Sequence, residues 1–292
     1  MSISSLTKQT SLLDATQHYE NFPVASVLLP KHLRLPIAYI YQFARQADDF
    51  ADEGDASIEE RLRQLNAFND ELHLLIAYIK PSNPFFIRLG DVIKAYHLPY
   101  PPFFDLISAF KQDVIKTRYA NFDEVLDYCT RSANPIGRLM LHLYRANSVE
   151  NIRYADHICT ALQLINFLQD IAIDFEKNAG KQRIYLCQNE LASFAITENM
   201  IQTYVEKKII IDKNWSEFMA FNLNRAKKML IAGKPLGGIL KGRIGLEMRM
   251  IIAGGERIIG KIQAVEGDVF NHRPILNKWD WCVIFYQALI NA

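Results

Sequence analysis

Apolar residues return every three or four positions along most of this chain, the period of helices that lay one face against a core. Alternation of β-branched residues over more than four positions is nearly absent, so no sheet is predicted. With its Gly, Pro and capping punctuation, the pattern predicts helices over about 58–79, 85–96, 103–118, 123–146, 151–178, 188–194, 197–230, 236–262 and 278–290. Two more precede them: a short one near Leu12–Tyr19, and one through Tyr41 to Asp52 with Pro36 in its first turn. Ser57 and Glu60 have capping-box spacing. Pro135 lies inside the 123–146 pattern, where it removes a helical hydrogen bond and crowds the Arg131 carbonyl, so a kink is expected across Ser132 to Gly137. The expected fold is all-α, a single domain over residues 1–292, with 1–17 loosely ordered.

Two helical stretches carry polar strips inside otherwise apolar surroundings. In the first, Tyr41, Arg45, Asp48 and Asp52 stand at i, i+4, i+7 and i+11, among Ile37, Ile40, Phe43, Ala47 and Phe50. In the second, Gln163, Asn166, Asp170 and Asp174 share a narrow arc of a helix expected over 157–178, whose remaining surface is mostly Leu and Ile. A buried carboxylate costs several kcal/mol unless it is neutralised or paired. Two such strips facing one another therefore call for cations between them.

Composition narrows the chemistry. The chain has 292 residues, 50% of them hydrophobic, enough for a large core. A net charge of +1 supplies no field for nucleic acid, and no nucleic-acid partner is expected. Cys129, Cys159, Cys187 and Cys282 are widely spaced, which disfavours a zinc site or a disulfide framework and fits the reducing cytoplasm. The first 17 residues lack the apolar core of a secretory signal, and no stretch approaches a membrane span. Trp279 to Ile290 leaves open a peripheral contact at the inner face of a membrane.

Carboxylates as the charged ligands, without a His or Cys cluster, suit Mg²⁺, which keeps waters and commonly binds substrate phosphate. No G-x-x-x-x-G-K-[ST] or G-x-G-x-x-G loop is present, so neither nucleotide phosphates nor a dinucleotide has a visible cradle. Arg45, Lys177, Lys181 and Arg183 place basic groups beside the acids, as a diphosphate held partly through metal requires. Phe22, Tyr41, Tyr128 and Phe167 lie on or near the same faces and could shield a carbocation with their rings. From the residues alone, the expectation is a Mg²⁺-dependent enzyme that ionises an allylic or related diphosphate in an apolar helical pocket.

These stretches resemble the squalene/phytoene synthase family of head-to-head isoprenyl diphosphate synthases. The matching residues are Phe22 to Ser26, Tyr41-x-x-x-Arg45-x-x-Asp48-Asp49-x-x-Asp52-Glu53, Tyr128-Cys129 with Ala133 and Gly137, Gln163-x-x-Asn166-x-x-x-Asp170-x-x-x-Asp174, and Arg183 to Leu186. Asn21 to Ser26, Ser132 to Arg138, Asn166 to Asp170, and Gly245 to Arg249 through Arg273-Pro274 resemble the hopanoid-pathway branch known as HpnC.

The resemblance implies a helical bundle around a central cavity, with Asp48 and Asp52 on one wall and Asp170 and Asp174 on the other. These four would hold two or three Mg²⁺ ions with diphosphate. Arg45 and Arg183 would contact diphosphate, Gln163 and Asn166 would extend the polar strip, and Tyr128 would sit near the cation or help proton transfer. Phe22, Tyr41 and Lys177, read from the residues themselves, complete the expected substrate contacts. The implied reaction converts presqualene diphosphate and water to hydroxysqualene and diphosphate without NADPH. The alternative is condensation of two farnesyl diphosphates to presqualene diphosphate, squalene or a phytoene-type product. Neighbouring hopanoid-pathway enzymes are the implied protein partners. Gln169 departs from the family, where many relatives carry Arg, and removes one possible diphosphate contact.

Overall fold

The computed structural model describes residues 29–176, 183–207 and 209–290. The short helix near Leu12–Tyr19 and the residues Phe22, Lys177 and Lys181 lie outside them. Among the described residues there are fourteen helical segments and no strand; an isolated parallel bridge joins Tyr119 and Cys187. The all-α expectation holds.

The first four helices are α1 (Lys31–Asp52), α2 (Ile58–Ile76), α3 (Pro84–Tyr96) and α4 (Pro101–Ile115). They enclose one hydrophobic core, in which Phe43, Phe68, Phe86 and Phe103 meet largely edge to face. Helices α5 (Phe122–Ser132), α6 (Asn134–Leu143), α7 (Val149–Gln169) and α8 (Ile171–Glu176) lead to the C-terminal half. That half comprises α9 (Gln188–Ser193), α10 (Glu198–Lys207), α11 (Lys213–Gly233), α12 (Leu236–Ile239), α13 (Gly242–Ala264) and α14 (Lys278–Ile290). A second core, around Trp215, Phe218, Ile165 and Ile262, fills this half. Tyr144 and Ile244 pack against both cores and mark their seam.

Several predicted helices are divided. Pro36 is the sixth residue of α1, not part of its first turn. Its missing N–H leaves the His32 carbonyl without the usual helical donor, and the Tyr96 hydroxyl donates to that carbonyl at 2.7 Å. The kink expected at Pro135 is a full break, with Ala133 between α5 and α6 and Pro135 in the first turn of α6. The 151–178 helix breaks at Asp170, the 197–230 helix before Asp212, and the 236–262 helix at Leu240–Lys241, where Gly242 adopts φ +60°. Hydrophobic period runs across such breaks unchanged, so it does not report them. The Ser57 capping box is half formed: Ser57 accepts from the Glu60 N–H, while the Glu60 carboxylate turns to Arg63.

Close helix approach is set by small residues against α7. A Cβ on Gly233 of α11 would stand 2.7 Å from the Tyr154 carbonyl oxygen, and one on Gly137 of α6 would stand 2.7 Å from Cys159 Sγ. The turn after α1 is clamped by buried Arg61, whose guanidinium donates to the carbonyls of Phe50, Glu53, Gly54 and Ala56. One open carbonyl of the last turn of α1, that of Phe50, and three of the following turn are thereby satisfied, fixing the end that carries Asp52. All four cysteines are free. No described helix is long and apolar enough to cross a membrane, and α14 exposes Trp279, Tyr286, Leu289 and Ile290.

One acid of α13 is out of keeping with its surroundings. Glu247 has a buried Oε2 with no hydrogen-bond partner among the described residues, and burial raises its carboxyl to about 7. A carboxyl raised above its unfolded value costs nothing where both states are protonated; the cost grows as pH rises from the unfolded value through the folded one. Glu247→Gln is therefore expected to stabilise the protein by roughly 2 kcal/mol at pH 8 and hardly at all near pH 5. Thermal melts at both pH values check this; an unchanged midpoint at pH 8 would refute it.

Candidate active site

The site forms at the seam between the cores. Its first wall is the polar strip of α1. Arg45 is pulled along its own helix, 3.4 Å from Asp48 Oδ2, 2.8 Å from Asp49 and 3.8 Å from Glu53. Its side chain keeps 42% exposure, so these pairs hold it loosely and an incoming anion can compete for it. Tyr41 is half-buried on the same face, and burial raises its phenol above the ordinary range.

Asp52 is held differently. Arg183 donates to both of its oxygens, at 2.9 and 3.2 Å, and only 3% of the Arg183 side chain is exposed. Arg183 stands on a segment laid against the end of α4: the Ile184 N–H donates to the Thr117 carbonyl and the Gln188 N–H to that of Tyr119. From there its guanidinium also donates to the Tyr185 hydroxyl at 2.9 Å and to the Asp113 main-chain carbonyl at 2.7 Å. Burial opposes its charge, but Tyr185, Asp113 and Asp52 overcome that and raise its pKa.

The centre of this network is Asp113, which the sequence reading missed. Its buried carboxylate accepts from the Tyr128 hydroxyl at 2.6 Å and from the Tyr185 hydroxyl at 3.0 Å. Burial lifts its pKa to about 7 against the pull of Arg183 and the two hydroxyls. Burial first, and the Asp113 charge second, push both phenols well above their usual range, so both stay protonated. One signal was available: Phe103, Leu106, Phe110 and Asp113 occupy one stripe of α4, and an acid in a core stripe requires partners.

Aromatic rings join this network to the second wall. Phe167 of α7 stacks on Tyr185 with centroids 4.0 Å apart and planes at 9°, and Tyr128 lies 5.6 Å from Tyr185 and 6.0 Å from Phe167. An apolar pocket lined by Val125, Leu164, Phe167, Tyr185 and Leu186 adjoins the stack. Gln163 and Asn166 are partly buried on α7, and their amides make no hydrogen bond among the described residues.

The helix breaks at Asp170, yet the Asp174 N–H still donates to the Asp170 carbonyl at 2.8 Å, so the strip keeps its direction into α8. Asp174 is near enough to Tyr185 for its charge to help raise that phenol. Asp170 accepts from Arg273 Nε at 2.7 Å. Gln169, buried beside it, donates to the Pro274 carbonyl at 2.5 Å. The amide at 169 thus holds the segment that brings Arg273 to the acidic strip, a cation for which the sequence reading gave no role.

Among the described residues, no three His, Cys or carboxylate groups are gathered as a metal cluster would need. Asp48, Asp52 and Asp170 each face an arginine. The donor set, all carboxylate oxygen, still suits a hard cation that draws its remaining ligands from water and phosphate.

Comparison with known proteins identifies the family. The family pattern for squalene/phytoene synthase matches residues 15–280. A hydroxysqualene synthase from Rhodopseudomonas palustris is 33% identical, over 94% of this chain and 89% of its own length. A phytoene synthase from Arthrospira platensis is 28% identical, over 94% and 90%. The crystal structure of squalene synthase HpnC from Alicyclobacillus acidocaldarius superposes with a TM-score of 0.77 and 31% identity, covering 87% of this chain and 92% of that one. A dehydrosqualene synthase structure, 18% identical with a TM-score of 0.78 over 96% and 94%, shares the fold. The chain belongs to the squalene/phytoene synthase family of isoprenoid-forming enzymes.

Proposed function

We propose that this enzyme converts presqualene diphosphate and water to hydroxysqualene and diphosphate. The observation that carries the reading is the linkage of Asp52 and Arg183 to the Tyr128–Phe167–Tyr185 cluster, which sets charge for a leaving diphosphate beside rings for a cation. The likeness to a hydroxysqualene synthase over nearly the whole chain supports the choice of substrate.

Arg45, Arg183 and Arg273 would draw the diphosphate oxygens, Arg45 by giving up part of its exposed carboxylate contacts and Arg183 from its fixed place beside Asp52. Mg²⁺ held by Asp48, Asp52, Asp170 and Asp174 would neutralise the charge on the departing diphosphate. Gln163 and Asn166 offer amides with no hydrogen-bond partner among the described residues to orient it. The π-faces of Tyr128, Phe167 and Tyr185 would stabilise the cation left behind, and water captures it, losing one proton to give the alcohol.

Purified protein supplied with presqualene diphosphate and Mg²⁺, without NADPH, is expected to form hydroxysqualene, and excess chelator is expected to stop it. Product at an undiminished rate in chelator would remove the metal from the reading. The likeness to phytoene synthases favours a second reading, condensation of two farnesyl diphosphates. Turnover of farnesyl diphosphate alone would select it.

A further inference from the structure

We infer that Asp113 is a positioning residue for the quenching step: it aims the Tyr128 hydroxyl and receives its proton when water captures the cation. The inference rests on the function proposed above. Asp113 is buried on α4, and each of its two carboxylate oxygens is taken by a different tyrosine, Oδ2 by Tyr128 and Oδ1 by Tyr185. With both phenols protonated, the Tyr128 O–H points at Asp113, and the lone pairs of its oxygen are left to face anything else that approaches. Tyr128 is thereby set to accept a hydrogen bond, which is the orientation a capturing water needs. The Tyr185 hydroxyl also accepts from Arg183, so that phenol is fixed at both ends and Tyr128 is the freer of the two.

The step balances as follows. The water oxygen bonds to the cationic carbon, and one of its O–H bonds breaks as the proton passes to the Tyr128 oxygen. The Tyr128 proton moves to Asp113 Oδ2, leaving a neutral carboxylic acid, a neutral phenol and the alcohol. The proton later returns to released diphosphate or solvent. The charged and titratable groups facing Asp113 are Arg183, Tyr128 and Tyr185 in contact, with Asp52 acting on it through its charge and the neutral Tyr119 phenol close enough to feel the charge of Asp113. The raised pKa of Asp113 fits a group that takes up and gives back a proton near neutrality.

The test uses the whole chain with presqualene diphosphate and Mg²⁺, measuring diphosphate release and the organic products separately. Wild type must first yield hydroxysqualene; if it does not, the proposed function fails and this inference is lost with it. Given that product, Asp113→Asn, which keeps the main-chain carbonyl that Arg183 contacts, is expected to lower hydroxysqualene formation more than diphosphate release, the two being read separately. Its hydroxysqualene fraction should fall at least about tenfold in favour of alkenes, the cation losing a proton from carbon instead. An unchanged product ratio would overturn the inference.

Should Asp113→Asn not fold, Tyr128→Phe interrupts the same relay and leaves Asp113 bonded to Tyr185. The wild-type product fraction is expected to change with pH around 7, and Tyr128→Phe to abolish that change. Its persistence in Tyr128→Phe would overturn the inference equally.

Discussion

Asp48→Asn is expected to lower turnover of presqualene diphosphate by about 10²–10³-fold, the scale of losing one preorganised electrostatic group at a site of developing charge. The fold should hardly notice. The Asp48 side chain is 40% exposed and its partner Arg45 keeps two other acids within 4 Å, so the change in stability should stay below about 1 kcal/mol. Asp170→Asn should lose activity on the same scale, with a somewhat larger effect on stability because Asp170 is 14% exposed and its charge pairs with Arg273 at 2.7 Å. The measurements are steady-state turnover and a urea melt on the same preparations. Wild-type turnover in either variant would sink the assignment of these acids to diphosphate ionisation, and would favour a chain that only supports another synthase.

The second large effect falls on stability. Arg183→Met removes the cation from a pair whose members are 3% and 11% exposed, leaving Asp52 buried and uncompensated, at a cost of about 3–5 kcal/mol. Adding Asp52→Leu should recover part of that loss, since the remaining charge disappears with its partner. Activity should not return in the double variant, because the proposed mechanism uses both groups to stabilise the departing diphosphate. Urea melts of the two single variants and the double one give the coupling. A double variant no more stable than Arg183→Met would show that Arg183 stabilises the fold through Tyr185 and the Asp113 carbonyl rather than through Asp52.

The contrast between Arg45 and Arg183 shows why exposure matters more than the count of ion pairs. Both lie beside the same acidic strip. Arg45 meets three acids on one helix surface in contact with water, where attraction is screened and side-chain freedom is lost. Arg183 meets one acid in the interior and is fixed by four hydrogen bonds. The first is suited to changing partners when a substrate enters; the second is suited to holding one wall of the site in register with the aromatic cluster.

The sequence by itself determined the helical class, the two polar strips and the residue types for charge and cation stabilisation. Each is a property of neighbours on one helix: period, capping and the sharing of a face depend on positions three, four and seven apart. Membership of the squalene/phytoene synthase family was legible for the same reason, because its motifs are short stretches of this kind. The tertiary structure decided which groups meet. Arg183 reaches Asp52 across 131 positions, Asp113 reaches Tyr185 across 72, and Arg273 reaches Asp170 across 103. No helical period encodes such pairs; they follow from how α1, α4 and α7 pack and from where the segment at 183–187 and the turn before α14 are laid over them. Asp113 could be read as an acid misplaced in an apolar stripe, but only the packing of α5 and the Arg183 segment against α4 shows that two tyrosines and an arginine make its place there affordable.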